Sequence, residues 1–203
     1  MQTAHELYIH ELNDMFSAEQ MLLDALQEQA EAASNAQLKK AFESHRNQTE
    51  KQVERLQRCF EEIDEQPENE ECKGMKGLVE EFRSFMQEKD PSPDILDHFA
   101  CGAAAKVEQY EIKGYESLIE LAEMMGHNQA VKLLNQSLKE EQSTLEKMEK
   151  FGEKLQPEEM GMEEMEGEEM EEMETTASSN GPGRRWKRSR FRKKSNSVTS
   201  RCD

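Results

Sequence analysis

The sequence predicts an all-α protein of four long helices and one shorter helix, and three observations lead there. Only 10 Gly and 5 Pro are spread over 203 residues, too few for the many turns of a sheet. Apolar residues recur at helical spacing through four segments, roughly 3–32, 36–63, 94–125 and 128–155. The breaks between these segments carry capping and turn residues rather than strand signals.

In the first segment Leu12, Met15, Phe16, Leu23, Leu26 and Ala30 define an apolar stripe with Glu19 near its centre. Ser34 and Asn35 end it, and Asn35 is suited to cap the next helix. That second helix carries Leu38, Phe42, Val53, Leu56 and Phe60, with His45 and Thr49 central among them and Gln52 on the flank. The stretch IDEQPENEEC reads as a polar loop. KGMKGLVEEFRSFMQE reads as a shorter helix with Leu78, Phe82 and Phe85 on one side, and KDPSPD as a breaker that offers Asp94 as a cap. In the third long helix Ala104, Val107, Glu108, Glu111, Tyr115, Leu118 and Ala122 share one face; Gly126 stops it and Asn128 is placed to cap the fourth. The fourth presents Leu134, Leu138, Leu145 and Met148 around Glu141. A helix of about 16 residues covers about 24 Å, so the shorter one can carry the chain back along the bundle. Such a crossover is found in ferritin-like bundles.

Glu108 and Glu111 therefore point where a core should be. Glu19 stands 15 residues before Ser34 and Thr49 stands 15 after it, while Glu111 is 15 before Gly126 and Glu141 is 15 after it. All four positions meet at mid-height, with His45 and Glu108 about one turn away. Carboxylates in a dry interior repel one another, and burying one unpaired carboxylate costs on the order of several kcal/mol. The same helical wheel puts the lysines and arginines of these helices on polar faces, leaving His45 as the one core-facing base. Two divalent metal ions, iron or manganese, held by Glu19, His45, Glu108, Glu111 and Glu141 would remove the repulsion. The plainer reading makes each glutamate a solvated edge residue; their agreement in height across three helices weighs against it. Glu50 adjoins Thr49 but projects about 100° off the stripe, so His45 is favoured over it, and Thr49 and Gln52 stay open as further members.

Residues 1–157 carry 17 Lys and Arg against 33 Asp and Glu, and residues 158–203 carry 9 against 11. The acidic front repels nucleic acid and anionic membranes and attracts cations. No run approaches the roughly 20 apolar residues of a membrane span, and MQTAHELYIHELND lacks the pattern of an export signal. The expectation is a cytoplasmic protein. Cys59, Cys72, Cys101 and Cys202 show no zinc spacing and are expected to be free thiols. After Pro157 the composition shifts to EEMGMEEMEGEEMEEME, with ten Glu and five Met, then TTASSNGPG, then RRWKRSRFRKK. Residues 1–157 are read as the bundle and 158–203 as a disordered tail. The basic run, with Trp186 and Phe191, allows at most weak nucleic-acid contact, since the acidic run competes for its charges.

The stretches ELNDMFSAEQMLLDAL, AFESHRNQTEKQVERL, CKGMKGLVEEF, AAAKVEQYEIKGYESL and LLNQSLKEEQSTLEKM, in that order, resemble the YciE/YciF family of ferritin-like proteins over about residues 5–155. The resemblance implies a small bundle related to rubrerythrins and ferritins, of bacterial origin and linked with stress responses. It also implies core positions at Glu19, His45, Glu108, Glu111 and Glu141, which the helical wheel had selected independently. Gln109 stands where the family usually has His. Ferritin-like enzymes at large often use Glu-x-x-His on two helices, a motif this sequence lacks; Val53 and Thr144 stand where those histidines are expected. The functional expectation is a di-iron or di-manganese protein, with ferroxidase-like or other oxidoreductase activity left open. The alternative is a non-catalytic stress or assembly protein with a structural ion site. A homodimer is expected rather than a storage cage.

Overall fold

Thr3 opens the first helix with a reciprocal cap: its hydroxyl accepts from the Glu6 amide at 3.1 Å, and its own amide donates to the Glu6 carboxylate at 3.1 Å. The computed structural model describes residues 2–68 and 70–155. They form α1 (Ala4–Ala32), α2 (Ala36–Glu62), α3 (Lys73–Lys89), α4 (Pro93–Met125) and α5 (Asn128–Lys154). The tail expected to be disordered, 158–203, lies outside the described residues.

Asn35 caps α2 as expected, accepting from the Gln37 and Leu38 amides. Gly126 ends α4 with φ +79°, in the left-handed region that glycine enters without steric cost. Two caps differ from expectation. Ser92, not Asp94, precedes α4, because Pro93 needs no amide partner at the first helical position. His127, not Asn128, precedes α5, and the amides of Gln129 and Ala130 donate instead to the Glu62 carboxylate at the end of α2, at 3.2 and 2.6 Å. A side chain from another helix thus supplies this cap.

α1 packs against α2 and α4, and α5 against α4 and α2. Asp97 near the start of α4 meets the α1/α2 turn, and Glu62 meets the start of α5. Each adjacent pair in this square is therefore antiparallel, and α3 crosses over on α1 and α4. This is the ferritin-like four-helix bundle with a short extra helix in its crossover. Asp97 is buried and accepts from the Ser34 amide at 2.9 Å, the Ser34 hydroxyl at 2.6 Å and the Asn35 amide at 2.8 Å. Asp97→Asn is expected to destabilise the fold by about 1–3 kcal/mol. Denaturant titration checks this, and an unchanged midpoint would show that the tie contributes nothing.

The core fills the square: Tyr8, Leu12, Leu38, Phe42, Leu56, Phe60, Tyr115, Leu118 and Leu134 are fully buried. The stripes shift slightly from the expected ones. Leu22 is buried while Leu23, Val53, Leu138 and Leu145 are half-buried, and on α3 Met75, Val79 and Phe82 face inward. Phe85 instead stacks on Phe99 of α4, ring centres 3.7 Å apart. Cys59, Cys72 and Cys101 are free thiols, all buried.

Candidate metal centre

At mid-height each of the four long helices sends a polar side chain into the core. Glu19 from α1, His45 from α2, Glu108 and Glu111 from α4 and Glu141 from α5 are all at most 2% exposed. His45, Glu108, Glu111 and Glu141 come together, each offering a ligand atom within 4.8 Å of the others. His45 lies between two acids, with Nδ1 3.3 Å from a Glu108 oxygen and Nε2 3.3 Å from a Glu141 oxygen. The Nε2 contact has hydrogen-bond geometry; the Nδ1 contact does not. Glu19 stands beside this group, held through one oxygen by the Tyr115 hydroxyl.

The carboxylates are incompletely satisfied. Both oxygens of Glu108, both of Glu111 and one of Glu19 are buried with no hydrogen-bond partner. Burial pushes all three acids well above their ordinary value of 4.5, and repulsion from neighbouring carboxylates adds to it. For Glu108 the strongest repulsion comes from Glu141, and for Glu111 from Glu19. Desolvation and like charge act together here, a combination characteristic of functional sites.

One buried base was not foreseen. Arg55, expected on a polar face, is buried and makes a bidentate pair with Glu140 of α5 at 2.7 and 2.9 Å, also donating to the Ser137 hydroxyl at 3.0 Å. Its partner sits on a different helix, so single-helix periodicity carries no sign of it. The bidentate pair engages its charge with Glu140, and its pull on Glu19 is outweighed by burial and by repulsion from Glu141. Gln52, placed on the flank by sequence, is fully buried and donates to Glu140 at 3.2 Å and to a Glu141 oxygen. Thr49 is fully buried too, with its hydroxyl unpartnered. Glu50 is exposed and pairs with Arg46 at 2.7 Å, outside the site, and Gln109 is exposed as well.

The donor set fits divalent metal. Opposite ligands of an ion bound at about 2.1 Å stand about 4.2 Å apart, so the four-residue group needs only slight contraction. Carboxylate oxygen with one imidazole suits manganese or iron, and the partnerless oxygens are what such an ion would engage.

A ferritin-like bundle with a carboxylate–histidine cluster in its core defines the class. Residues 3–161 match the family described as domain of unknown function DUF892, and the chain belongs to that family. It is 38% identical over 145 residues to Protein YciF of Escherichia coli K12, covering 71% of this chain and 87% of that one. The crystal structure of the E. coli stress protein YciF superposes with TM-score 0.72 at 36% identity, over 75% of this chain and 96% of that one. YcfI of Rhodopseudomonas palustris, provisionally described as a structural protein, superposes with TM-score 0.71 at 34% identity, over 73% and 94% of the two chains. No described helix is long and apolar enough to cross a membrane.

Proposed function

We propose that this chain is a metal-binding protein holding two divalent ions, iron or manganese, in the bundle core, and that it serves oxygen- or peroxide-linked stress protection in the cytoplasm, as a homodimer. The observation that carries the reading is the convergence of fully buried carboxylates, with both oxygens of Glu108 and Glu111 and one of Glu19 left without a partner. His45, Glu108, Glu111 and Glu141 would hold metal together, with Glu19 completing the set. When bound, the metal would supply redox chemistry toward oxygen or peroxide. The chain's own residues position the donors: the Tyr115 hydroxyl holds one oxygen of Glu19 and leaves the other free, while Glu141 is held at one oxygen by the Gln52 amide and at the other by His45 Nε2. The description of YciF as a stress protein supports the physiological part.

A second reading has an observation of its own. Val53 is half-buried and Thr144 buried at positions where ferritin-like enzymes often carry histidines, leaving His45 the sole nitrogen donor at the cluster. A structural ion site in a non-catalytic protein fits that poverty of nitrogen, as does the description given to YcfI. Oxygen and peroxide consumption by the iron-loaded and manganese-loaded protein separates the two. Turnover above that of free metal is expected under the first reading. Consumption equal to free metal, with metal retained, would leave the structural role.

A further inference from the structure

The cluster is sealed inside the bundle, so any ion that reaches it must cross a wall. The walls differ in charge. On the α2/α5 side the approach is closed by Gln52 and by the Arg55–Glu140 ion pair, whose charges cancel. On the α1/α4 side, near the start of α3, two surface cavities open. One of about 450 Å³ is lined by Glu11 and Asp14 against Lys113, with Met15 and Tyr110, and one of about 550 Å³ by Asp14, Glu70 and Glu71 against Lys73, with His10, so acids outnumber bases in both.

Asp14 is common to both cavities. Its Oδ2 accepts from the Tyr110 hydroxyl at 2.9 Å and from the Cys72 thiol at 3.2 Å, and the Tyr110 oxygen is 3.1 Å from the Cys72 sulfur. A carboxylate, a phenol and a thiol thus close a triangle drawn from α1, the cap of α3 and α4. The fold makes room for it at Gly74, where an added Cβ would fall 2.7 Å from the Tyr110 ring. The triangle also lies next to the buried acids. Tyr110 immediately precedes Glu111, and the Cys72 amide donates to the Ser17 hydroxyl at 3.0 Å, two residues before Glu19. Asp14 is five residues before Glu19, about 7.5 Å along the helix axis.

We propose that Asp14, Tyr110 and Cys72 form a transfer site through which divalent cations pass from the acidic α1/α4 surface into the buried carboxylates. The proposal rests on the metal reading above. Acidic rims concentrate cations. As the ion binds sulfur, the Cys72 thiol proton leaves to solvent by way of its acceptor Asp14, which lines both cavities. The three donors then stand in for part of a hydration shell, and the partnerless oxygens of Glu108 and Glu111 bind the ion more strongly beyond.

Cobalt(II) uptake by the full chain, followed by stopped-flow absorption and by metal content at equilibrium, tests it. A thiolate-to-cobalt absorption band should rise early and decay as cobalt moves on to the oxygen-rich cluster. Cys72→Ser should lack the band, and Asp14→Asn and Tyr110→Phe should slow loading about tenfold, all with the parent's final cobalt content. Glu149→Gln, which removes an exposed acid from α5, should load at the parent's rate. Parent-like rates in all three triangle variants would overturn the route, as would equal slowing in Glu149→Gln or a lower final content in the triangle variants. A parent that retains no cobalt would defeat the metal reading, and this inference with it. A parent that loads while all variants load equally fast defeats the route alone.

Discussion

Replacing Glu111 by Gln is expected to leave the metal-free protein as stable as the parent or more so and to erase the stabilisation that added iron or manganese gives the parent. Glu111 is fully buried, neither oxygen has a partner, and three other acids raise its proton affinity beyond what burial alone does. An amide of the same shape carries no charge to desolvate and feels no repulsion. The same change removes a donor that metal would need. A ligand bound only to the folded state, at 100 times its Kd, adds about 2.7 kcal/mol of stability. Melting curves of parent and variant, with chelator and with metal, read both halves at once. Equal metal-induced shifts in the two proteins would remove Glu111 from the site.

The second large effect is a dependence on pH that runs opposite to ordinary acid denaturation. Glu19, Glu108 and Glu111 hold their protons in the folded state well above the ordinary value of 4.5 they recover on unfolding. Because the folded state binds more protons, the stability these groups contribute is fully present below 4.5. It falls as pH rises from there through the raised folded values. Each proton retained only by the folded state contributes a slope of about 1.4 kcal/mol per pH unit. The acids titrate as one coupled set. With chelator present, stability should decline from pH 5 to pH 8. With manganese present the decline should shrink or reverse, since metal and protons compete for the same oxygens. Denaturant midpoints across that range check this, and a rising trend in chelator would contradict it.

Much of this arrangement was legible in the sequence because helical periodicity reports which face is covered. Glu19, His45, Glu108, Glu111 and Glu141 all fall at the centre of apolar stripes, and all are buried. Their common height followed from counting residues to the turns. What stayed hidden depends on pairing between elements. Arg55 is buried because Glu140 of another helix meets it, and Glu62 caps α5 from the end of α2. Asp97 is buried because the fold brings Ser34 and Asn35 to it, a contact that the periodicity of α4 alone does not show. Leu22 replaced Leu23 because each sits near a stripe edge, where one helix cannot say which flank its neighbour covers. The same limit applied to Cys72, which read as a lone thiol but meets Asp14 and Tyr110 from two other helices.

The most direct measurement is metal content per chain by native mass spectrometry, on the full protein and on a Glu108→Gln, Glu111→Gln double variant, each loaded with iron or with manganese. Both substitutions remove acids with partnerless buried oxygens, so the double variant should fold at least as well as the parent. The expected result is about two ions per parent chain and loss of metal from the variant. A parent that retains none under native conditions, or a variant that retains as much as the parent, would contradict the assignment of the buried carboxylates as a metal centre.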